Sequence, residues 1–321
     1  MKTRSMTSVL IVAVLLLAFI LKGFVSPYFF DALILFISMT AAFEMSKLLT
    51  KMDKPNNQIL STLFPAFLML FMLITIAFDT NVGIIYSIVI AVALIIIFFA
   101  IALLWSLITK SKTIKEIRYK KLQISLTKYS FQKAMNTAFS FVYPSFLLMF
   151  MTFINHFDDL TSSFANVSSF NGYFSLIALL FAFLIPIFTD TFAYLIGGIF
   201  GGKKLCPKVS PNKTISGAIG GLLSCVFFCT VVYFILYSIT DLKTIFNLTG
   251  FAFWQIIIIS FIGSMLAQLG DLLESAFKRQ ANVKDSGHFL PGHGGMLDRC
   301  DSYMFVMPYI FLAFSIILLV L

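Results

Sequence analysis

Charged residues are scarce in this sequence, and cysteines are few. Only 12% of its 321 residues are Asp, Glu, Lys or Arg, against about a quarter in soluble domains. So little charge excludes an ordinary water-soluble enzyme, and so much apolar sequence excludes a disordered chain. The four cysteines do not form the framework of a disulfide-stapled secreted domain.

Apolar sequence is what the chain has in abundance. Hydrophobic residues make up 60% of it, including 39 phenylalanines, and the mean hydropathy is +0.97. A transmembrane helix needs about 20 mostly apolar residues. The apolar stretches predict an all-α, polytopic integral membrane protein with about nine transmembrane helices, at roughly 8–25, 29–49, 59–78, 82–108, 135–155, 172–199, 215–239, 252–277 and 302–321.

The distribution of the basic residues predicts an orientation. With the N-terminus inside, only Lys22 and Lys243 of the 23 Lys and Arg residues lie outside. Such a bias is typical of cytoplasmic loops, so we expect a cytoplasmic N-terminus and an external C-terminus. This topology explains the net charge of +9 without a nucleic-acid partner. The first stretch is interpreted as a retained anchor rather than a signal peptide, because no small-residue cleavage site follows it.

The predicted spans divide the chain into two regions. Residues 1–134 form an N-terminal four-helix membrane region with a basic cytoplasmic loop at 109–134, and residues 135–321 form a C-terminal five-helix catalytic region. The basic loop is either a solvated loop or an amphipathic segment on an anionic lipid surface.

Acidic residues inside apolar spans mark candidate sites, because a charge at membrane depth costs several kcal/mol or more. Five acids fall in or at the ends of predicted spans: Asp31, Glu44, Asp190, Asp271 and Glu274. The first two also have a structural interpretation, as interfacial residues or as partners of a nearby lysine such as Lys47.

One polar cluster follows Asp190. A glycine-rich turn with two lysines leads to residues 210–214, which read Ser-Pro-Asn-Lys-Thr and directly precede the next span. Glycines allow close backbone approach, and a helix start presents N–H groups to an anion. The alternative is an ordinary basic loop followed by small residues that serve helix packing. The candidates for phosphate binding are Ser210, Lys213 and Thr214.

A second, more specific cluster lies between the last two predicted spans. Four of its residues are spaced i, i+3, i+4 and i+7 and therefore share one helical face: Asp271, Glu274, Ser275 and Lys278. A similar order returns at the start of the final span with Asp298, Asp301 and Ser302. A polar hairpin with Lys284 and Asp285 joins the two.

This second cluster has the chemistry of a metal–polyphosphate site. Carboxylate oxygens suit Mg²⁺, which shares its coordination shell with phosphates. Nearby cations can neutralise a triphosphate, and they are Lys278, Arg279, Lys284 and Arg299. Two alternatives are a zinc site built from His288, His293 and Cys300, whose spacing is loose, and the ion site of a transporter.

These residues resemble the terminal motif of the phosphatidate cytidylyltransferases, also called CDP-diacylglycerol synthases. In that family a Ser is followed by Lys-Arg, Lys-Asp, Pro-Gly-His-Gly-Gly, Asp-Arg and a final Asp. Here the matching positions are Ser275, Lys278, Arg279, Lys284, Asp285, residues 291–295, Asp298, Arg299 and Asp301. The run around Asp190 and residues 210–214 is also similar, but Ile215 and Ser216 stand where the family usually has Trp and Glu. Residues 1–170 match only in being several spans.

The resemblance implies that CTP and phosphatidate react to give CDP-diacylglycerol and pyrophosphate, with Mg²⁺, a neighbouring K⁺ and a homodimer. It implies that Asp271 and Asp298 hold the metal. Further ion-site candidates are Asp190, Glu274 and Asp301. The candidate catalytic cations are Lys278, Lys284 and Arg299, and the candidate substrate-binding residues are Ser210, Lys213, Thr214, Ser275, Arg279 and His293.

The cluster lies on the side where CTP is present, so we expect a site that faces the cytoplasm. The composition, without a targeting extension, favours a bacterial inner membrane. Two other functions stay open. A CTP-dependent polyprenol or phytol kinase would release CDP rather than pyrophosphate, and an ion-coupled secondary transporter would need no CTP.

Overall fold

The computed structural model describes residues 13–14, 16–23, 26–78, 84–108, 126–160, 173–289 and 294–319, and most of these are helical. The helices are α1 (Tyr28–Lys51), α2 (Gln58–Phe78), α3 (Ile84–Ile108), α4 (Leu126–Phe141), α5 (Leu147–Asn155), α6 (Phe157–Leu160), α7 (Tyr173–Phe200), α8 (Ile215–Tyr237), α9 (Thr240–Leu248), α10 (Phe253–Gln280) and α11 (Leu297–Leu319). A π-helical turn, Val142–Phe146, joins α4 to α5, and the strands β1 (Lys204–Cys206) and β2 (Ser210–Thr214) separate α7 from α8.

The helices confirm the predicted class of an all-α integral membrane protein. Six helices in the described ranges are long and apolar enough to cross a membrane: Tyr28–Lys51, Lys128–Asn155, Tyr173–Phe200, Ile215–Tyr237, Phe253–Gln280 and Leu297–Leu318. The count of nine spans and the orientation of the termini stay predictions. The first predicted span is helical at its described residues, 13–14 and 16–23, and residues 109–125 of the basic loop lie outside the described part of the chain.

Two helices begin earlier than the apolar stretches predicted. The helix expected from residue 135 starts at Leu126, and the last helix starts at Leu297 rather than at residue 302. Apolar runs end at the first polar residues, whereas a helix continues wherever its backbone donors find acceptors. As a result, Asp298 and Asp301 lie at the start of α11 and not in the loop before it.

The segment after α7 contains a hairpin that the sequence analysis did not predict. Strands β1 and β2 are antiparallel, with Lys204 opposite Thr214. Thr214 has an extended backbone, and its hydroxyl accepts a 3.1 Å hydrogen bond from the Gly217 N–H, which caps the start of α8. The Thr214 hydroxyl is thus used by the helix itself.

Glycines bring the C-terminal helices close together. A Cβ atom at Gly217 of α8 would lie 2.6 Å from the Ala193 carbonyl oxygen of α7. A Cβ at Gly270 of α10 would collide with the Asp301 carbonyl oxygen of α11. Small residues permit such close backbone approach in membrane helices. Gly217 therefore serves helix packing, which was the alternative interpretation of the small residues after Thr214.

Phenylalanines of α5 and α6 pack against the last helix. The buried ring of Phe311 on α11 lies with its centroid 5.5 Å from Phe150, 5.3 Å from Phe153 and 5.2 Å from Phe157. Aromatic pairs in this distance range each contribute about 0.5–1.5 kcal/mol beyond the burial of their area. Helix α11 also contacts α1, α7 and α10, so it connects both regions of the chain.

A buried polar network holds the first turn of α1. The Asp31 carboxylate lies 2.7 Å from His156 Nε2 and accepts a 2.9 Å hydrogen bond from the Asn155 amide. His156 Nδ1 lies 2.8 Å from Asp159 Oδ2. Burial alone would lower the pKa of His156, but the hydrogen bonds and charges of Asp159 and Asp31 outweigh it and raise that pKa to about 9. Asp31 is therefore paired, though not with Lys47.

Candidate active site

A cavity of about 590 Å³ lies between α7, α8, α10, α11 and the β1–β2 hairpin. Four of the carboxylates that line it come from three different helices: Asp190 on α7, Asp271 on α10, and Asp298 and Asp301 on α11. Its lining also includes three cations, Lys213, Lys278 and Arg299. The structure therefore brings the two polar clusters of the sequence together in one site.

Helix α10 presents the predicted polar face. The Ser275 hydroxyl donates a 3.4 Å hydrogen bond to Asp271 Oδ1, one turn earlier. Lys278 Nζ contacts the carboxylate of Glu274, also one turn earlier. Glu274 is 0% exposed, and Lys278 offsets its charge, because a buried carboxylate needs a partner. The shared face predicted from the spacing is confirmed.

Each of the two predicted metal ligands is paired with a lysine. Lys278 Nζ lies 2.8 Å from Asp298 Oδ1, which joins α10 to α11. Lys213 Nζ contacts Asp271 Oδ2, which joins the hairpin to α10. Both lysines also line the cavity, so their ammonium groups are available to an anionic ligand beside the two carboxylates.

The second oxygen of Asp298 is held by the segment that precedes α11. Asp298 Oδ2 accepts hydrogen bonds of 2.9 Å from the Ser286 N–H, 2.9 Å from the Ser286 hydroxyl and 2.7 Å from the Gly295 N–H. A carboxylate in the first turn of a helix is also stabilised by the positive end of the helix dipole. These contacts fix the Asp298 side chain at the cavity wall.

Ser302 orders two further acids of the cavity, Asp190 and Asp301. Its hydroxyl donates a 2.9 Å hydrogen bond to Asp190 Oδ2, across from α11 to α7. Its N–H donates a 2.8 Å hydrogen bond to Asp301 Oδ1. The predicted repeat of acids and serine at the start of the last helix thus contributes to the same site as Asp190.

Several predicted site residues lie beside the cavity rather than in its lining. The Arg279 Nε–H donates to the Val209 carbonyl oxygen at 3.1 Å, which ties the hairpin turn to α10. The side chain of Lys284 is exposed, and Glu274 lies buried below the lining. Also outside the lining are Ser210 and Ser275. His293 lies outside the described residues.

The donors in the cavity fit a hard divalent cation. Five carboxylates, the four on the helices and Asp285, supply the oxygen atoms that Mg²⁺ prefers. Mg²⁺ usually takes one or two protein carboxylates together with water and substrate phosphates. Among the described residues no three acidic, His or Cys side chains form a ready-made metal cage. The arrangement therefore fits a metal that shares its ligands between the protein and a bound phosphate.

The sequence analysis missed two residues that line this site, Tyr194 and Gln268, and did not predict the contact that Glu44 makes. Tyr194 lines the cavity and is 82% exposed; its spacing of one turn after Asp190 is the signal that points to it. Gln268 also lines the cavity, with its amide bonded to the Ala218 carbonyl at 3.1 Å. Glu44 of α1 contacts the segment behind Asp298, and no local pattern in the sequence indicates that contact.

Comparisons with known proteins agree with this chemistry. Residues 2–317 match the family described as the cytidylyltransferase family. A phosphatidate cytidylyltransferase of Staphylococcus saprophyticus is 49% identical over 130 residues, which cover 40% of this chain and 46% of that protein. One from Staphylococcus aureus (strain COL) is 50% identical over 132 residues, with the same coverage of 40% and 46%. The chain thus spans about half the length of the curated relatives it matches.

Proposed function

Because the chain belongs to the cytidylyltransferase family, we propose that it is a phosphatidate cytidylyltransferase, which converts CTP and phosphatidate to CDP-diacylglycerol and pyrophosphate. One observation carries this proposal: a single cavity among apolar helices combines five carboxylates, Asp285 among them, with three cations, Lys213, Lys278 and Arg299. Carboxylates suit the metal of a metal–nucleotide complex, and the cations suit its phosphates.

In the proposed reaction a phosphate oxygen of phosphatidate attacks the α-phosphorus of CTP. A new P–O bond forms, the bond to the β-phosphate bridge breaks, and pyrophosphate leaves with the electron pair. Phosphoryl and nucleotidyl transfers require little covalent chemistry from a protein, so positioning and electrostatic stabilisation dominate. Asp271 and Asp298 would hold Mg²⁺, which supplies neutralisation of charge on the phosphates when bound.

The cations of the site have distinct tasks in this proposal. Lys213 and Lys278 border the cavity and stand next to the two metal-binding carboxylates, so they contact phosphate oxygens of the bound substrates. Arg299 lines the same wall. The exposed Lys284 attracts the triphosphate from solution. K⁺ would lie near other acids of the site, among them Asp190, Glu274 and Asp301.

The lipid substrate requires an apolar approach to the cavity. Tyr194, in the cavity wall, and Ile199 and Phe200, at the end of α7, are exposed. Exposed apolar surface beside a polar cavity suits a ligand with a phosphate head and acyl tails. We further propose a cytoplasmic site in a bacterial inner membrane and a homodimeric enzyme, in agreement with the basic inner loops and the resemblance to the family.

The purified protein in detergent tests the function. Incubation with CTP, Mg²⁺ and labelled phosphatidate should yield labelled CDP-diacylglycerol and an equal amount of pyrophosphate. Asp298→Asn should lose nearly all turnover while keeping its elution volume in size-exclusion chromatography. The matched control is Asp241→Asn, an exposed acid in the first turn of the short helix α9, which should retain wild-type turnover.

Three outcomes would overturn parts of this proposal. Release of CDP with a polyprenol or phytol acceptor would identify a kinase instead. Flux of an ion across sealed vesicles without CTP would identify a transporter. Full turnover by Asp298→Asn with Mg²⁺ would refute the assignment of the metal to that carboxylate.

A further inference from the structure

The carboxylate of Glu44 lies directly behind the candidate active site. Glu44 belongs to α1 in the N-terminal region, and it is 4% exposed. Its Oε2 accepts a 2.8 Å hydrogen bond from the Leu297 N–H. The Ser286 hydroxyl, whose one proton is shared with Asp298, lies 3.2 Å from the same oxygen. These two partners flank the segment that leads into α11.

The contact with Leu297 stabilises the start of α11. The first N–H groups of a helix have no partner within the helix, and a carboxylate beside them is favoured by the helix dipole. Glu44 fills this role from a helix that lies more than two hundred residues earlier in the chain. The N–H group that Glu44 accepts from belongs to Leu297, the residue immediately before Asp298.

Ser286 connects Glu44 to Asp298. The Ser286 hydroxyl lies within hydrogen-bond distance of both carboxylates, 3.2 Å from Glu44 Oε2 and 2.9 Å from Asp298 Oδ2. The Ser286 N–H donates to Asp298 Oδ2 at 2.9 Å. Displacement of Glu44 therefore changes the hydrogen bonds that fix the proposed metal ligand.

The backbone at two glycines passes close to the Glu44 carboxylate. A Cβ atom at Gly295 would collide with Glu44 Oε2 and with the Ser286 hydroxyl, and a Cβ at Gly287 would collide with the Glu44 carboxylate. Two glycines thus allow the segment to close around this side chain. Lys47, the partner that the sequence offered for Glu44, instead lies over the ring of Phe43, 4.1 Å from its centroid.

We propose that Glu44 is a positioning residue of the active site. Through Leu297 and Ser286 it holds the described residues 286–289 and 294–297 next to α1, so that Asp298 binds the metal and the phosphates in a fixed orientation. The N-terminal helices thereby contribute to catalysis without contacting substrate. The catalytic part of this inference rests on the proposed function, whereas the structural part does not.

Hydrogen–deuterium exchange of the protein without substrate tests the structural part. Glu44→Ala should speed exchange in residues 286–289 and 294–297 by about tenfold or more, because loss of a hydrogen bond to a charged group raises the local opening equilibrium by about that factor. Glu44→Gln should have a smaller effect, since its amide oxygen can still accept from the Leu297 N–H. Ser286→Ala removes the connection to Asp298 and keeps Glu44, so it should also speed exchange if Glu44→Ala does not fold.

Asp31→Asn is the matched control, because Asp31 is another buried carboxylate of α1. It lies 13 residues before Glu44 in the sequence, about 20 Å away along the helix. This variant should lower the melting temperature and leave exchange of residues 286–289 and 294–297 unchanged. Equal exchange in Glu44→Ala and wild type would refute the proposal.

Steady-state kinetics test the catalytic part. Glu44→Ala should lower kcat at least about tenfold and raise the Mg²⁺ concentration for half-maximal activity, with the KM for phosphatidate unchanged. Glu44→Gln should recover part of kcat. A loss of activity no larger than that of Asp31→Asn would overturn the positioning role. A wild-type protein with no cytidylyltransferase activity would refute the proposed function, while the exchange experiment would still decide the role of Glu44 in holding the segment.

Discussion

Replacement of Lys278 by methionine should separate the structural and the chemical role of the site. Lys278 is 13% exposed and contacts two carboxylates, Glu274 and Asp298. Asp298 keeps its three donors from Ser286 and Gly295 when the lysine is removed. The carboxylate of Glu274, in contrast, loses its partner, because it has no other hydrogen-bond partner in the described part of the structure.

The expected loss of stability in Lys278→Met follows from this difference between Asp298 and Glu274. Removal of one partner from a buried ion pair destabilises a protein by about 3–5 kcal/mol, since the remaining charge is left uncompensated. We take the lower end, about 3 kcal/mol, because Lys278 is partly exposed at the cavity. For a chain of this size the apparent melting temperature should fall by roughly 5–10 °C.

A double variant provides the decisive comparison. Glu274→Met together with Lys278→Met replaces the pair by apolar side chains of similar size, which is often neutral or stabilising. It should recover most of the lost melting temperature, measured in detergent by fluorescence-detected size-exclusion chromatography after heating. Turnover should stay at background in both variants, because the proposed phosphate contact of Lys278 is missing in each.

The control for both variants is Lys51→Met, at an exposed lysine in the last turn of α1, which should shift the melting temperature by no more than about 1–2 °C. Two results would refute the reasoning. One is a Lys278→Met variant that melts with the wild type, and the other is a double variant no more stable than the single one.

Two further predictions concern the rest of the molecule. The pKa of His156 is raised to about 9 from about 6.5 in an unfolded chain. The protonated ring therefore contributes stability that is complete below pH 6.5 and is lost as the pH rises through 9. The melting temperature of the wild type should fall more between pH 6.5 and 9.5 than that of His156→Gln, and equal falls would contradict the role of this charge. The orientation can be tested in a Cys206→Ser background with an impermeant maleimide. A cysteine introduced at Lys284 should react only in inside-out vesicles, and one introduced at Asp241 only in right-side-out vesicles. The reverse pattern would contradict the proposed orientation.

The sequence predicted the membrane helices well where long apolar runs define them. The spans predicted at 172–199 and 215–239 correspond to α7 and α8, which cover Tyr173–Phe200 and Ile215–Tyr237. A segment in lipid must satisfy its backbone groups internally, so its length and composition are enough to identify it. The polar face of α10 was predictable for a similar reason, because helical spacing alone brings Asp271, Ser275 and Lys278 to one side.

Short polar elements were not predictable in this way. The β1–β2 hairpin has only a few residues in each strand, too few for a periodic pattern to distinguish it from a loop. The helix cap formed by Thr214 was not predicted for the same reason. Its hydroxyl accepts a hydrogen bond from the Gly217 N–H, and this cap depends on where α8 begins. Thr214 also lines the cavity, so its role as a substrate ligand stays a prediction.

The sequence by itself determined that this chain crosses a membrane as a set of helices, and that acids in an apolar context mark a candidate phosphate and metal site. Only the tertiary structure decided how those acids are paired: Asp271 with Lys213, Asp298 with Lys278, and Asp190 with Ser302. It alone placed Glu44 beside Ser286, 242 residues further along the chain. Local spacing controls contacts within one helix, whereas contacts between distant helices depend on the shapes and small residues through which those helices pack.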